Sequence, residues 1–262
     1  MSNTSILMFW AVIPIILILL LVYSIDKTKE PFPLLLQFFG LGILSCVLVF
    51  IVSEIMGIFI PIMNLKITDM NFFEIMFYAF IGVALVEETC KWVMIYFVGY
   101  NHSEFDELYD SIVYAVFVSL GFAFIENLLY IFLNGNLSTA ILRAVSAVPG
   151  HACDAIFMGY YISLAKQFQI QNKKKLEHKN IVLSILIPAL LHGIYDFCLM
   201  SGFVILILLF FVFVIFLYII SIKKLNDVSS NNKKIKFKNN FCPNCGAKIE
   251  GQFCRRCGTR QE

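Results

Sequence analysis

The stretch Glu87-Glu88-Thr89-Cys90-Lys91 places three charged side chains near the middle of a long apolar segment, residues 71–99. A helix of this length spans the roughly 30 Å hydrocarbon core of a bilayer. On insertion scales, placing a single Asp, Glu, Lys or Arg at the centre of a transmembrane helix costs about 2.5 to 3.5 kcal/mol of free energy. These side chains therefore cannot all face lipid, and we expect them to point into a helix bundle or a hydrated cavity.

The whole chain has the composition of a polytopic membrane protein. Of its 262 residues, 60% are hydrophobic and only 15% are charged, and its mean hydropathy is +0.82. This composition excludes an ordinary soluble domain. The lengths of the apolar segments predict an all-α fold with about seven transmembrane helices. The predicted spans are residues 5–25, 32–60, 71–99, 108–133, 138–166, 180–200 and 202–222.

Basic residues outside these spans predict the orientation of the chain. Lys27 and Lys29 follow the first span, a group of lysines lies between spans five and six, and the segment after Ile222 is rich in Lys. All three segments fall on one side, which the positive-inside rule assigns to the cytoplasm. We therefore predict an integral protein of the cell membrane with its N terminus outside and its C-terminal tail cytoplasmic. Lys66 and the acidic segment 102–109 oppose this assignment but are outnumbered.

A separate module is predicted at the C terminus. The membrane domain, residues 1–224, is followed by a polar linker, residues 225–240, and by residues 241–262, which contain the pattern C-x2-C-x8-C-x2-C. This pattern resembles a short zinc ribbon, in which a structural zinc supplies most of the folding free energy. Two disulfides are the alternative, which a cytoplasmic location disfavours. The predicted zinc ligands are Cys242, Cys245, Cys254 and Cys257.

Most of the intramembrane charge lies in spans three to six. This partition predicts a central polar core of four helices within residues 71–200, shielded from lipid by the remaining helices. Intramembrane ionisable groups are candidates for function by default. The polar side chains of these four spans include Glu87, Glu88, Lys91, Glu126, Asn127, Arg143, His151, Asp154, His192 and Asp196.

Helical spacing predicts some of the contacts among these groups. Glu87 and Lys91 are four residues apart and share a helix face, whereas Glu88 is rotated by about 100°. One glutamate can therefore pair with the lysine while the other faces the cavity, and the spacing does not decide which. His192 and Asp196 are one turn apart, which suits an aspartate that orients an imidazole. In span five a proline, at position 149, predicts a bend in the helix.

Three glutamates and two histidines in one cavity can carry out hydrolysis in two ways. A glutamate can deprotonate a water that attacks a peptide carbonyl, with His, Asn or Lys stabilising the oxyanion. Alternatively, two histidines and a glutamate hold a zinc ion while a second glutamate is the base. The absence of an H-E-x-x-H helix excludes a zincin-type site.

Three further hypotheses are compatible with these residues. The first is a buried ion pair between Lys91 and one of the two adjacent glutamates that only locks helices together. The second is proton- or ion-coupled transport, which also uses chains of buried Glu and His. The third is a non-catalytic membrane sensor that acts through its zinc ribbon.

The order of the motifs resembles that of the PrsW-type intramembrane proteases, over roughly residues 71–199. EETCK fits E-E-x-x-K, GFAFIEN fits G-F-A-x-x-E-N, and LLHGIYD fits the final H-x-x-x-D block. DSIVY and RAVSAVPGH fit the two intervening elements of the pattern. The chain is more distantly similar to the CAAX prenyl-protein proteases.

This resemblance implies an intramembrane endopeptidase that makes a site-1-type cleavage in a membrane-anchored protein. The typical substrate of the family is an anti-sigma factor. The expected partners are this substrate, the lipid bilayer and a cytoplasmic protein at the zinc ribbon, and no nucleic acid is expected. His151 and His192 are also candidate ligands of a catalytic zinc. The catalytic candidates implied by the resemblance are Glu87, Glu88, Glu126, His151 and His192, with Lys91, Asn127 and Asp196 supporting them.

Overall fold

The computed structural model describes residues 3–232 and Arg256, so the predicted zinc ribbon and most of the polar linker lie outside the described residues. The elements of this part of the chain are helices. A π-helical segment, Tyr78–Leu85, joins α3 to α4 without a break. The helices are α1 (Asn3–Ile25), α2 (Phe32–Phe59), α3 (Phe72–Phe77), α4 (Val86–Gly99), α5 (Asp110–Asn134), α6 (Leu137–Val145), α7 (Ala147–Ile170), α8 (Lys174–Met200) and α9 (Val204–Ser230).

Six stretches of the described chain are long and apolar enough to cross a bilayer, and they comprise α1, α2, α5, α6 with α7, α8 and α9. The predicted span 71–99 is not among the six. It is divided between α3, the π-helical segment and α4, and it carries the charges of the EETCK stretch. Its backbone is nevertheless helical from Phe72 to Gly99. The structure thus confirms a helical membrane protein, whereas the count of seven spans stays a prediction.

The fifth predicted span is two helices, α6 and α7, which meet at Ser146. The sequence predicts a bend at Pro149, but the helix is interrupted upstream of it, at a residue with φ −127° and ψ −58°. Proline has no N–H, so the carbonyl of Val145 lacks its usual helical donor. The hydroxyl of Tyr218 in α9 donates to that carbonyl at 2.6 Å. The interruption therefore allows α6 and α7 to line the same cavity.

Helices α2 and α5 cross with their backbones in contact. A Cβ on Gly42 would lie 1.9 Å from the carbonyl oxygen of Val118, and one on Gly121 would lie 2.1 Å from the carbonyl oxygen of Phe39. Only glycine fits at either position of this crossing, as at the small-residue interfaces of membrane helices.

One end of the bundle is closed by a buried polar loop. The loop between α1 and α2 carries Asp26 and Glu30, and both side chains are buried. Tyr114 of α5 donates to Glu30 Oε2 at 2.8 Å, and Ser229 of α9 donates to the carbonyl of Ile25 at 3.1 Å. Burial raises the pKa of Asp26 and, together with the neighbouring Asp26 carboxylate, raises the pKa of Glu30 to about 7. The end of α1, the start of α5 and the end of α9 therefore meet here.

Helix α9 continues beyond Lys224, the predicted limit of the membrane domain, and ends at Ser230. Leu225 and Ser229 lie one turn apart on the helix, and both are buried against the bundle. This packing explains the extension. The first part of the predicted polar linker is thus helical.

We expect Gly42→Val to destabilise the protein by about 3 kcal/mol or more, because the added side chain overlaps a backbone carbonyl that cannot move freely. Gly40→Val is the matched control, since Gly40 is exposed on the same helix and nothing lies within 4 Å of its Cβ position. Thermal unfolding of the purified variants in detergent measures the difference. Equal melting temperatures for the two variants would contradict this account of the crossing.

Candidate active site

The buried ammonium group of Lys91 contacts the two adjacent glutamates and one histidine. Its Nζ donates to Glu88 Oε1 at 2.7 Å and to Glu87 Oε2 at 3.3 Å, and lies 3.2 Å from His151 Nδ1. The side chains of Lys91 and Glu88 are 0% exposed. Because an unpaired buried charge is strongly unfavourable, these contacts hold the first turns of α4 against α7.

His192 of α8 lies against both glutamates. Its Nδ1 is 2.9 Å from Glu88 Oε1, while its Nε2 is 3.9 Å from Glu87 Oε2 and 3.5 Å from Asp196 Oδ2. The spacing of His192 and Asp196 in the sequence predicts their approach. Glu88 is therefore held by Lys91 and His192 together, whereas Glu87 makes longer contacts with the same two residues.

The third glutamate, Glu126 of α5, pairs with two groups. Its Oε2 is 2.7 Å from Arg143 Nη2 and 2.8 Å from His151 Nε2. Arg143 Nε also donates to Asn127 Oδ1 at 2.8 Å, and Asn127 Nδ2 donates to the carbonyl of Ala11 in α1 at 3.3 Å. Asn127 thus faces α1 and not the cavity, because one step along the helix turns its side chain by about 100° from Glu126.

These groups surround a cavity of about 450 Å³. Of the residues that the sequence predicts for the site, three lie behind the cavity wall: Glu88, Lys91 and Asn127. The others lie on the wall, and they are Glu87, Glu126, His151, His192 and Asp196. The side chains come from α4, α5, α7 and α8, which correspond to the predicted spans three to six.

Two further charged residues, Arg143 and Asp154, line the same cavity. The sequence marks both as buried charges but assigns neither a role. Asp154 follows His151 by three residues in α7, and residues three apart share a helix face. Helical spacing in the sequence could therefore have predicted that Asp154 lines the cavity with His151. No spacing in the sequence predicts the contact of Arg143 with Glu126, because this contact depends on the interruption at Ser146.

The π-helical segment immediately precedes Val86 and sets how α4 meets α8. Gly193 packs against this segment, and a Cβ there would lie 2.4 Å from the Phe80 ring. This close approach brings the neighbouring His192 to Glu88. Short π-helical stretches are frequent at functional sites, and the sequence pattern does not reveal this one.

Four residues of the site fit a divalent metal ion. One ligand atom from each of Glu87, Glu88, His151 and His192 lies within 4.8 Å of the others, and imidazole nitrogens and carboxylate oxygens are typical zinc ligands. Glu88 Oε2 is also buried without a hydrogen-bond partner in the described part of the chain. Lys91 Nζ contacts three of these four residues. Its ammonium group and a metal ion therefore compete for the same carboxylate oxygen and imidazole nitrogen atoms.

Comparison with known proteins points to one family. Residues 30–220 match the profile described as "PrsW family intramembrane metalloprotease". The chain is similar to Protease PrsW of Oceanobacillus iheyensis, with 41% identity over 221 residues, covering 83% of this chain and 94% of the relative. It is also similar to Protease PrsW of Clostridioides difficile, with 34% identity over 233 residues, covering 87% of this chain and 94% of the relative.

A third relative, Protease PrsW of Bacillus subtilis, is 36% identical over 203 residues, covering 77% of this chain and 86% of the relative. No solved structure is significantly similar to the chain. Among the hypotheses that the sequence leaves open, these similarities favour the membrane-embedded protease over the transporter and the sensor. The chain belongs to the PrsW family of intramembrane metalloproteases.

Proposed function

We propose that the protein cleaves a membrane-anchored protein in the cavity beside Glu87, using a water molecule that this glutamate activates. The observation that carries the proposal is the unequal environment of the two adjacent glutamates. Glu87 lies on the cavity wall, whereas Glu88 is fully buried behind it and held by Lys91 and His192. A general base has to reach the reacting water, and Glu87 meets this condition.

The gap between Glu87 and His192 suits the attacking water. Glu87 Oε2 and His192 Nε2 are 3.9 Å apart, which is too far for a direct hydrogen bond but short enough for one water to contact both. Glu87 accepts a proton from this water as its oxygen bonds to the scissile carbonyl carbon. The C–N bond then breaks, and the proton passes from Glu87 to the leaving nitrogen.

The opposite wall supplies positive charge and hydrogen-bond donors. Arg143, His151 and Glu126 form one group there, linked by contacts of 2.7 and 2.8 Å. Donors already fixed in place stabilise an oxyanion without further reorganisation. We assign this role to Arg143. His151 holds the Glu126 carboxylate beside Arg143 through its Nε2, and we assign to Glu88 and Asp196 the orientation of His192.

The residues that would hold a catalytic zinc are Glu87, Glu88, His151 and His192. A zinc ion bound there would polarise the scissile carbonyl and lower the pKa of a bound water. Glu126, which lines the cavity but is not one of these four, would then be available as a base. Lys91 would still neutralise part of the carboxylate charge.

For the substrate and the topology we propose what the sequence predicts. The substrate is a single-pass membrane protein, such as an anti-sigma factor. The end of the bundle that carries Lys27 and Lys29 is cytoplasmic, and the end of α9 lies at this same end. A zinc ribbon at residues 241–262 would then stand in the cytoplasm, where a protein partner can reach it.

We expect Glu87→Gln and Glu88→Gln both to abolish cleavage but to differ in stability. Glu87→Gln removes the base and lowers kcat by at least about 100-fold, with little change in melting temperature. Glu88→Gln deprives Lys91 of its closest carboxylate, which costs about 3 to 5 kcal/mol of folding stability. The assay follows cleavage of a single-pass substrate in liposomes by mass spectrometry, alongside thermal unfolding.

Glu104→Gln is the control for these two variants, because Glu104 is an exposed carboxylate in the loop between α4 and α5. It should keep wild-type cleavage and stability. Cleavage at the wild-type rate by Glu87→Gln would refute the assignment of the base. A loss of stability in Glu87→Gln as large as that in Glu88→Gln would refute the distinction between them.

Zinc analysis separates a catalytic ion from the predicted ribbon. We expect about two equivalents of zinc per chain in the full-length protein, and about one after the four ribbon cysteines are replaced by Ser. His192→Ala should likewise retain about one equivalent, because only the ribbon then binds. Loss of all zinc from the cysteine variant, with cleavage intact, would instead establish a mechanism that uses glutamate without a metal.

A further inference from the structure

A second group of buried carboxyl groups lies at the polar-loop end of the bundle. It consists of Asp26 after α1, Glu107 in the loop before α5, and Asp110 at the start of α5. One carboxylate oxygen from each lies within 4.8 Å of the other two. The three residues are 3%, 6% and 0% exposed. This group shares no residue with the candidate active site.

Two oxygens of this group accept no hydrogen bond from a donor in the described part of the chain. Asp26 Oδ1 accepts from the N–H of Thr28 at 3.2 Å, and Asp110 Oδ2 accepts from the N–H of Glu107 at 2.7 Å. The second oxygens, Asp26 Oδ2 and Asp110 Oδ1, are buried and lack a hydrogen bond among the described residues. Buried polar atoms nearly always have a partner, so these two oxygens are the atoms through which the group would contact a ligand.

A fourth carboxyl group lies beside this group, because Glu30 is next to Asp110. Neither Asp26, Glu107 nor Asp110 forms an ion pair with a Lys or Arg in the described part of the chain. Lys29 is nearby, but its Nζ donates to the backbone carbonyl oxygen of Asp26 at 2.6 Å and to that of Tyr23. Glu107 Oε2 accepts only from the neutral side-chain amide of Asn232.

We propose that Asp26, Glu107 and Asp110 bind a hard divalent cation, Mg²⁺ or Ca²⁺, at this end of the bundle. Both ions prefer oxygen ligands, at about 2.0 to 2.6 Å. Two oxygens on one such ion are then at most about 4 to 5 Å apart, which matches the separation of these carboxylates. The set contains no nitrogen or sulfur ligand, which distinguishes it from the candidate zinc site.

A cation here would tie three segments together: the end of α1, the loop before α5 and α5 itself. Asn232, next to the end of α9, joins the same assembly, because its Oδ1 accepts from the N–H of Tyr109 at 3.1 Å. Binding therefore stabilises the folded state, since these segments are brought together only on folding. The proposal goes beyond the proposed function and does not depend on it.

The test is thermal unfolding of the full-length protein in detergent, first treated with a chelator and then titrated with MgCl₂ or CaCl₂ at constant ionic strength. We expect the melting temperature to rise by about 5 °C or more at saturation. The ion that acts at the lower concentration is identified as the ligand. Asp227→Asn, which removes an exposed carboxylate of α9, should keep the shift.

Asp110→Asn should lose the cation-dependent shift while its cation-free melting temperature stays at or above that of the wild type, because the substitution relieves repulsion between carboxylates. His192→Ala should keep the shift, which separates this site from the catalytic one. A shift of equal size in Asp110→Asn, or no shift in the wild type, would overturn the proposal. If Asp110→Asn fails to fold, Asp26→Asn replaces it. This variant should likewise lose the cation-dependent shift and keep a cation-free melting temperature at or above that of the wild type.

Discussion

The structure depends most on the buried ammonium group of Lys91, which contacts Glu87, Glu88 and His151. Through these contacts it joins α4 to α7, and through Glu88 it reaches His192 and α8. Removal of its closest partner, the Glu88 carboxylate, costs about 3 to 5 kcal/mol, a large part of the roughly 5 to 15 kcal/mol that stabilises a typical fold. The groups that provide the chemistry therefore also hold the helices in place.

One close helix crossing and two departures from regular helix geometry bring these groups together. The glycine crossing of α2 and α5 places α5 against the rest of the bundle, the π-helical segment brings α4 to α8, and the interruption at Ser146 turns α6 so that Arg143 reaches Glu126. At the interruption, the hydroxyl of Tyr218 donates to the carbonyl that Pro149 leaves free. The site is thus built from irregular backbone that its own helices satisfy.

The sequence predicts the parts of this arrangement that follow from spacing within one helix. The Lys91 contact with Glu87 and the approach of His192 to Asp196 are of this kind, because residues four apart share a face. The contact of Glu88 with His192 and the turning of Asn127 towards α1 are not, since they depend on how two helices are rotated about their axes. That rotation is set by the π-helical segment and by glycine contacts, which leave no periodic signal.

The two buried acidic groups differ in how their charge can be balanced. At the active site the chain supplies cations from within, Lys91 and Arg143, so the helices can assemble without an ion from solution. At Asp26, Glu107 and Asp110 the described chain supplies hydrogen bonds but no ion pair. Carboxylates buried in this way must gain protons or a cation, and only a cation can contact all three segments at once. The polar-loop end is therefore the part of the fold whose stability should depend on the surrounding solution.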